Sequence, residues 1–211
     1  MTNFDMIELY KRESSNVFSN VKNEEINAFV EMVFEAYEGE NTIFACGNGG
    51  NVAAVENLVV DLNMHPFVSD NKTEKVNIVR NKFHTINLCN SSGTITGISN
   101  DLGYEHIFSE QLVYQGKEGD ILFAISGSGN SKNVLKALAV CRDMNMKSVV
   151  ITRNKDCKAY LLADLLIVIP GTSKFPGQIG KNNNNFHFED CISKITHIAV
   201  GLLKKKVQDS I

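Results

Sequence analysis

The sequence has little that would suit a membrane-bound, exported or nucleic-acid-binding protein. Its longest apolar runs fall well short of the roughly 20 residues that a membrane span needs, so we expect no membrane partner. Residues 1–13 are mostly polar with mixed charge, and we expect no signal peptide there. The formal net charge of −3 gives no reason to expect nucleic acid as a partner.

Cysteine is present but follows no pattern. The five cysteines are an odd number, lie far apart and include no C-x-x-C pair. Neither a disulfide framework nor a zinc knuckle is therefore indicated. We expect reduced thiols in or near the core of a cytoplasmic protein.

The sequence also lacks the usual nucleotide-binding loops. Its most informative turn, residues 126–131, follows an apolar run at 121–125 and precedes a helical pattern at 133–141. This turn has neither the lysine of a Walker loop nor the G-x-G-x-x-G spacing of a dinucleotide fold. Glycines allow close backbone approach, and free N–H groups at a helix N-terminus suit a phosphate. The turn predicts a phosphorylated small molecule, held by the hydroxyls of Ser126, Ser128 and Ser131; an ordinary capped turn is the alternative.

Strand and helix patterns alternate along most of the chain. Two helical patterns fill the first forty residues, and a loop is predicted at 70–82 and another at 171–185. Strands alternating with helices predict an α/β fold, a parallel sheet with helices on both faces in a three-layer αβα arrangement. The predicted strands are 42–46, 83–88, 120–125, 148–152 and 165–169, and the predicted later helices are 52–63, one ending at 98, 104–114, 133–141 and 185–205.

The first three predicted strands each end in a turn of glycine, serine and asparagine. In an open α/β sheet, ligands bind beyond the carboxyl ends of the strands. The three turns therefore converge on the edge where a ligand is expected.

Four motifs in order resemble the sugar isomerase (SIS) domain family, and within it the phosphoheptose isomerases. They are GNGG at 47–50, NDLGYEHIF at 100–108, EGD at 118–120 leading into ISGSGNS at 125–131, and KITHI at 194–198. The resemblance covers nearly the whole chain, including the N-terminal helices.

The resemblance implies one SIS domain over 1–211, with a flavodoxin-like α/β core at 40–211. It implies that the helical hairpin at 1–39 packs between subunits of a homotetramer with interfacial active sites. It also implies the site residues. His197 would be half of the acid/base pair, and the substrate-binding positions would be Asn48, Gly49, Ser91, Ser92, Ser126, Gly127, Ser128, Ser131 and Glu189.

The chain departs from the family pattern in the helix after GNGG. The family carries His and Glu there, four residues apart, and this chain has Asn57 and Asp61. Asp61 keeps a carboxylate and is the candidate partner of His197, whereas Asn57 is a poor substitute for a zinc-binding histidine. The family's zinc is therefore in doubt, so no cofactor is certain. A divalent metal stays open, with Asp61, Glu189 and His197 as candidate ligands.

Further departures affect sugar recognition. Glu189 stands where the family has glutamine, and His65 stands where it has arginine. The turn after the second strand is Asp-Thr-Ser in the family and Ser91-Ser92-Gly93 here. Helix geometry alone places Asp190 as near the His197 face as Glu189. His187, between two phenylalanines, is a candidate rim residue.

The resemblance implies an aldose–ketose isomerase that converts sedoheptulose 7-phosphate into D-glycero-D-manno-heptose 7-phosphate through an enediol. This chemistry needs a base near neutral pH, a proton donor for the oxygen and an anchor for the phosphate. Imidazole suits the proton transfer. Two alternatives stay open: a non-catalytic SIS protein that binds a phosphosugar or a partner such as a replication initiator, and an isomerase for another sugar phosphate.

Overall fold

The computed structural model describes residues 1–76 and 82–210, and a five-stranded parallel sheet organises this part of the chain. Its strand order is 2-1-3-4-5, which is the flavodoxin-like order. All five strands are parallel, and β2 lies on one side of β1 while β3, β4 and β5 follow on the other, so the order of addition switches sides between β1 and β3. The strands are β1 (Thr42–Gly47), β2 (His84–Asn87), β3 (Ile121–Ile125), β4 (Lys147–Thr152) and β5 (Leu165–Val168). The predicted fold class is confirmed.

Helices cover both faces of the sheet and bury it. They are α1 (Asn3–Ser19), α2 (Asn23–Glu38), α3 (Asn51–Met64), α4 (Ser92–Asp101), α5 (Ser109–Gln115), α6 (Lys132–Asp143) and α7 (Asn185–Asp209). Side chains alternate along β1: Ile43 and Ala45 join the core under α2, α3 and α7, while Phe44 and Cys46 join the core under α4, α5 and α6. Burial on both faces explains why the strands read as nearly continuous apolar runs.

The N-terminal helices pack on the same face as α7. Helix α1 begins at a capping box in which Thr2 accepts from the Asp5 N–H and the Asp5 carboxylate accepts from the Thr2 N–H. Helices α1, α2 and α3 all contact α7. In the described residues, no helix is both long and apolar enough to cross a bilayer.

The predicted strands and long helices agree with the structure to within one or two residues at most ends. The predicted loop at 171–185 is partly wrong, because a short antiparallel ladder joins β6 (Thr172–Ser173) to β7 (Gly180–Lys181). The predicted helix at 104–114 is interrupted, since a 3-10 turn at Tyr104–His106 precedes α5. Part of the predicted loop at 70–82 lies outside the described residues.

Candidate functional site

The turns after β1, β2 and β3 lie side by side along the carboxyl edge of the sheet. Strand β1 pairs in parallel with β2 on one side and with β3 on the other. The reversal in strand order falls between β1 and β3, which is where ligands bind in this fold. The turns at this point are the GNGG turn and the turn at 126–131, which we call the phosphate loop.

The phosphate loop folds back on itself and leaves donors free. The Gly129 N–H donates to the Ser126 carbonyl, and the Asn130 N–H donates to Ser128 Oγ. The Ser126 hydroxyl donates to Ser131 Oγ at 3.1 Å, just before α6 begins. Within the described chain, no acceptor faces the backbone N–H groups of Gly127, Ser128 and Ser131. Amide and hydroxyl donors at a helix N-terminus are what a phosphate needs.

Asn48 in the GNGG turn is held by two neighbours. Its side-chain amide exchanges two hydrogen bonds with Asn133 of α6, at 2.8 and 3.0 Å. The Tyr104 hydroxyl donates to the same Asn48 oxygen at 2.9 Å. Gly49, the next residue, is exposed. The GNGG turn is therefore tied to the first turn of the helix that follows the phosphate loop.

Ser91 and Ser92 lie exposed at the start of α4. Ser91 is the N-cap, and its Oγ accepts hydrogen bonds from the N–H and the hydroxyl of Thr94. In the described part of the chain, the Ser92 hydroxyl has no protein partner. A contact of either serine with a sugar stays a prediction.

Helix α7 carries two acidic side chains near its start, and they point to different places. The Glu189 carboxylate lies against the GNGG turn, so close that a Cβ added to Gly50 would sit 2.8 Å from its Oε1. Asp190 instead accepts a hydrogen bond from the Tyr10 hydroxyl at 2.6 Å. The structure thus distinguishes two residues that spacing alone left equal, and it places Glu189 beside the candidate site.

Asp61 and His197 are in contact, as the hypothesis of an acid/base pair requires. Asp61 Oδ2 lies 3.4 Å from His197 Nε2, and Asp61 Oδ1 lies 3.3 Å from His65 Nε2. The Asp61 side chain is 16% exposed, whereas His197 is 63% exposed and does not point into the apolar interior. A cavity of about 360 Å³ opens beside them, lined also by Lys72 and Lys204.

The Asp61 carboxylate faces Nε2 of His197 at 3.4 Å. A tautomer with its proton on Nε2, on the side of the carboxylate, leaves Nδ1 unprotonated and able to accept a proton. The carboxylate would also stabilise the imidazolium that forms when the proton arrives.

The candidate metal ligands do not fit an ion as they stand in one chain. Glu189 and His197 are eight residues apart on α7, which separates them by about 12 Å along the helix axis. Among the described residues, no group of three or more His, Cys, Asp and Glu side chains is placed to hold a metal.

His187 is not a rim residue, because it is completely buried between α7 and α1. Its Nε2 lies 3.2 Å from the Glu13 carboxylate, and its ring packs on Tyr10. Burial tends to raise the pKa of Glu13. Hydrogen bonds from the Ser173 hydroxyl, the Lys174 N–H and His187 outweigh this and hold that pKa below its ordinary value.

Sequence reasoning missed several residues around the site. Asn133 and Tyr104 hold Asn48, and Arg153, at the end of β4, lies against the phosphate loop. His65 was noted as a departure, and its place one helical turn after Asp61 could have signalled their contact. No sequence signal indicated the contact of Arg153.

The fold and the site define a class of protein. The family model of the SIS domain matches residues 9–153, and the chain belongs to this family. A solved phosphoheptose isomerase from Neisseria gonorrhoeae has the same fold, with a TM-score of 0.79, 21% identity and full coverage of both chains.

Curated relatives narrow the class. A phosphoheptose isomerase from Aneurinibacillus thermoaerophilus is 33% identical over 171 residues, which is 79% of this chain and 81% of that protein. One from Helicobacter pylori, strain P12, is 32% identical over 141 residues, covering 67% of this chain and 68% of the other. The expected resemblance is confirmed, as is the expectation of an enzyme, because these relatives are isomerases by name.

Proposed function

We propose that this protein is an aldose–ketose isomerase for a phosphorylated sugar, with sedoheptulose 7-phosphate as substrate and D-glycero-D-manno-heptose 7-phosphate as product. The observation that carries the proposal is the contact between Asp61 and the exposed imidazole of His197. The names of the curated relatives support the substrate. Such a reaction would supply heptose for a surface polysaccharide.

The phosphate loop anchors the substrate. Hydroxyls of Ser126, Ser128 and Ser131, with free backbone N–H groups, hold the phosphate at the N-terminus of α6. Anchoring matters because proton transfer between neighbouring carbons requires the sugar to stay in one register. Asn48 and Glu189 lie at the neighbouring turn and contact the sugar chain.

His197 moves the proton between the two carbons. Its Nδ1 accepts the proton from the carbon next to the carbonyl, and the enediol forms as the carbonyl oxygen takes a proton from water. The hydroxyl on the first carbon gives a proton back to water when the new carbonyl forms. Asp61 holds the imidazolium until the proton is returned to the neighbouring carbon. The side chain's exposure leaves room for a substrate to approach.

A second subunit completes each site in this proposal. Arg153 contacts both Gly127 of the phosphate loop and Asn185 at the start of α7. His197 is twelve residues further along α7, which is about 18 Å along the helix axis. The eight bonds from the phosphorus of a heptose 7-phosphate to its C1 cannot span more than about 12 Å, at roughly 1.5 Å each. The phosphate of one subunit and His197 of another would then meet at an interface, in a homotetramer.

Exposed apolar side chains support such an interface. Val60 and Met64 lie outward on α3, and Ile198 and Leu202 lie outward on α7, next to His197. Apolar patches of this kind mark contact surfaces. The N-terminal hairpin at 1–39 also exposes apolar side chains on α1, and we assign it to packing between subunits in the cytoplasm.

The test is proton exchange. With sedoheptulose 7-phosphate in D₂O, proton NMR should show deuterium at C1 for the wild type and none for His197→Gln. The matched control is His84→Gln, because His84 is an exposed histidine at the start of β2, outside the site; it should exchange at the wild-type rate.

Other outcomes would overturn the proposal in distinguishable ways. Exchange with a different sugar phosphate alone would change the substrate and keep the chemistry. A thermal shift with sugar phosphates but no exchange with any of them would leave a binding protein. Ser126→Ala should weaken phosphate binding by about 1–3 kcal/mol, and an unchanged affinity would contradict the anchoring role.

A further inference from the structure

The phosphate loop lacks a positive charge of its own. Residues 126–131 are serine, glycine and asparagine only. A phosphate monoester carries about 1.5 to 2 negative charges at neutral pH, because its second pKa lies near 6. Neutral hydroxyl and amide donors can hydrogen-bond this group but do not neutralise its charge, whereas a guanidinium does both.

Arg153 brings a guanidinium to this loop from the end of β4. Its Nε donates to the Gly127 carbonyl at 3.1 Å, and its Nη1 donates to the Asn185 side chain at the start of α7. The guanidinium fills the space that a side chain at position 127 would occupy. A Cβ added to Gly127 would lie 3.1 Å from Arg153 Nε and 3.4 Å from Nη2.

Arg153 faces no protein counter-charge in the part of the chain that the structure describes. In the described residues, no carboxylate lies within ion-pair distance of it, and its two protein contacts are neutral oxygens. A guanidinium has five N–H donors, and two are used, which leaves three. The group is half-buried, and this burial lowers the pKa of Arg153 below its ordinary value. A partly desolvated cation without a partner is costly unless an anion joins it.

We propose that Arg153 binds the phosphate of the substrate through its free Nη donors and supplies the positive charge that the phosphate loop lacks. This inference rests on the proposed function, because it assigns a further contact to the same site. A planar guanidinium can give two parallel hydrogen bonds to a phosphate, which fixes orientation as well as charge. Arg153 is thus a residue for binding and specificity, distinct from the imidazole at the reacting carbons.

The test measures the affinity for inorganic phosphate, which does not depend on the identity of the sugar. Titration calorimetry would compare the wild type with Arg153→Gln, Arg153→Lys and the matched control Arg142→Gln. Arg142 is an exposed arginine in the last turn of α6, so both Gln variants change the net charge equally. Arg153→Gln should bind phosphate about 10- to 100-fold more weakly, and Arg142→Gln should bind like the wild type.

A purely structural role predicts different results. If Arg153 only ties Gly127 to Asn185, then Asn185→Ala should weaken phosphate binding as much as Arg153→Gln does. If the charge is what matters, Asn185→Ala and Arg153→Lys should keep most of the affinity, and added salt should shrink the difference between the wild type and Arg153→Gln.

Equal phosphate affinities of the wild type and folded Arg153→Gln would overturn the proposal. If that variant does not fold, phenylglyoxal modification of the wild type replaces it. Mass spectra should then show that phosphate protects Arg153, but not Arg142, from phenylglyoxal. Equal modification of Arg153 with and without phosphate would overturn the proposal. Absence of turnover with sedoheptulose 7-phosphate would contradict only the proposed reaction, because phosphate binding is measured separately.

Discussion

Replacing Asp61 with asparagine removes the carboxylate that two imidazoles share, and we expect slower proton transfer as a result. Asparagine keeps the shape and one acceptor oxygen but carries no charge. The imidazolium that forms at His197 would lose a counter-charge whose Oδ2 lies 3.4 Å from Nε2. The amide can also turn its NH₂ toward His197, which favours the tautomer with a proton on Nδ1 and removes the base.

The size of the effect follows from this distance. Two unit charges 3.4 Å apart attract each other by about 1.2 kcal/mol in a dielectric of about 80, and by about 4.9 kcal/mol in one of about 20. His197 is 63% exposed, so the lower figure suits the free protein, and a bound sugar that excludes water moves the value toward the higher one. At 1.36 kcal/mol for each factor of ten, we expect kcat to fall by about 10²-fold, within limits of roughly 10- and several thousand-fold.

The assay is deuterium incorporation at C1 followed by proton NMR over a range of substrate concentrations. We expect KM to change little, because no contact joins Asp61 to the phosphate loop in the described chain. His65→Gln is the control, since it removes the contact at Oδ1 and leaves the Oδ2 contact with His197. A kcat for Asp61→Asn equal to that of the wild type would refute the reasoning, as would an equal loss in His65→Gln.

Two further changes test the packing around the site. Glu13→Gln should lower the free energy of unfolding by about 1–3 kcal/mol at pH 7, because the charge bonded to Ser173 and His187 is lost. The depressed pKa of Glu13 means that its stabilisation is present above pH 4.5 and is lost as the pH falls further, so denaturant titrations should show a shallower acid dependence in the variant; parallel curves would contradict this. Gly129→Ala should destabilise the protein and weaken phosphate binding, because φ is +63° and the new Cβ would sit 2.4 Å from Cys157 Sγ; thermal melts and calorimetry check both, and wild-type values would show that the loop does not need glycine.

The fold could be predicted from the sequence because its signals are local. The inner strands β1, β3 and β4 are mostly apolar and almost wholly buried, and β1, β2 and β3 are each followed by a turn rich in glycine, serine or asparagine. The reversal of strand order then puts the first and third turns side by side. The small ladder of β6 and β7 was missed because two-residue strands leave no periodicity to detect.

The candidate site could be predicted only in part. Asp61 and His197 were paired through a resemblance. Their contact depends on how α3 packs against α7, which no local sequence pattern encodes. The different positions of Glu189 and Asp190 depend on the neighbours that each side chain meets. Arg153 lies in an unremarkable turn, and only the three-dimensional position of Gly127 shows what it contacts.

The reciprocal pair of amide hydrogen bonds between Asn48 and Asn133 leaves the Asn48 side chain able to donate a hydrogen bond but not to accept another. Both lone pairs of its side-chain oxygen are taken, one by Asn133 and one by the Tyr104 hydroxyl. One of its two amide protons is also committed to Asn133, and an inverted amide would place donors against donors. Whatever occupies the adjoining space therefore meets a single N–H and must present a lone pair to it, so a hydroxyl there is forced to act as the acceptor and to aim its own hydrogen elsewhere.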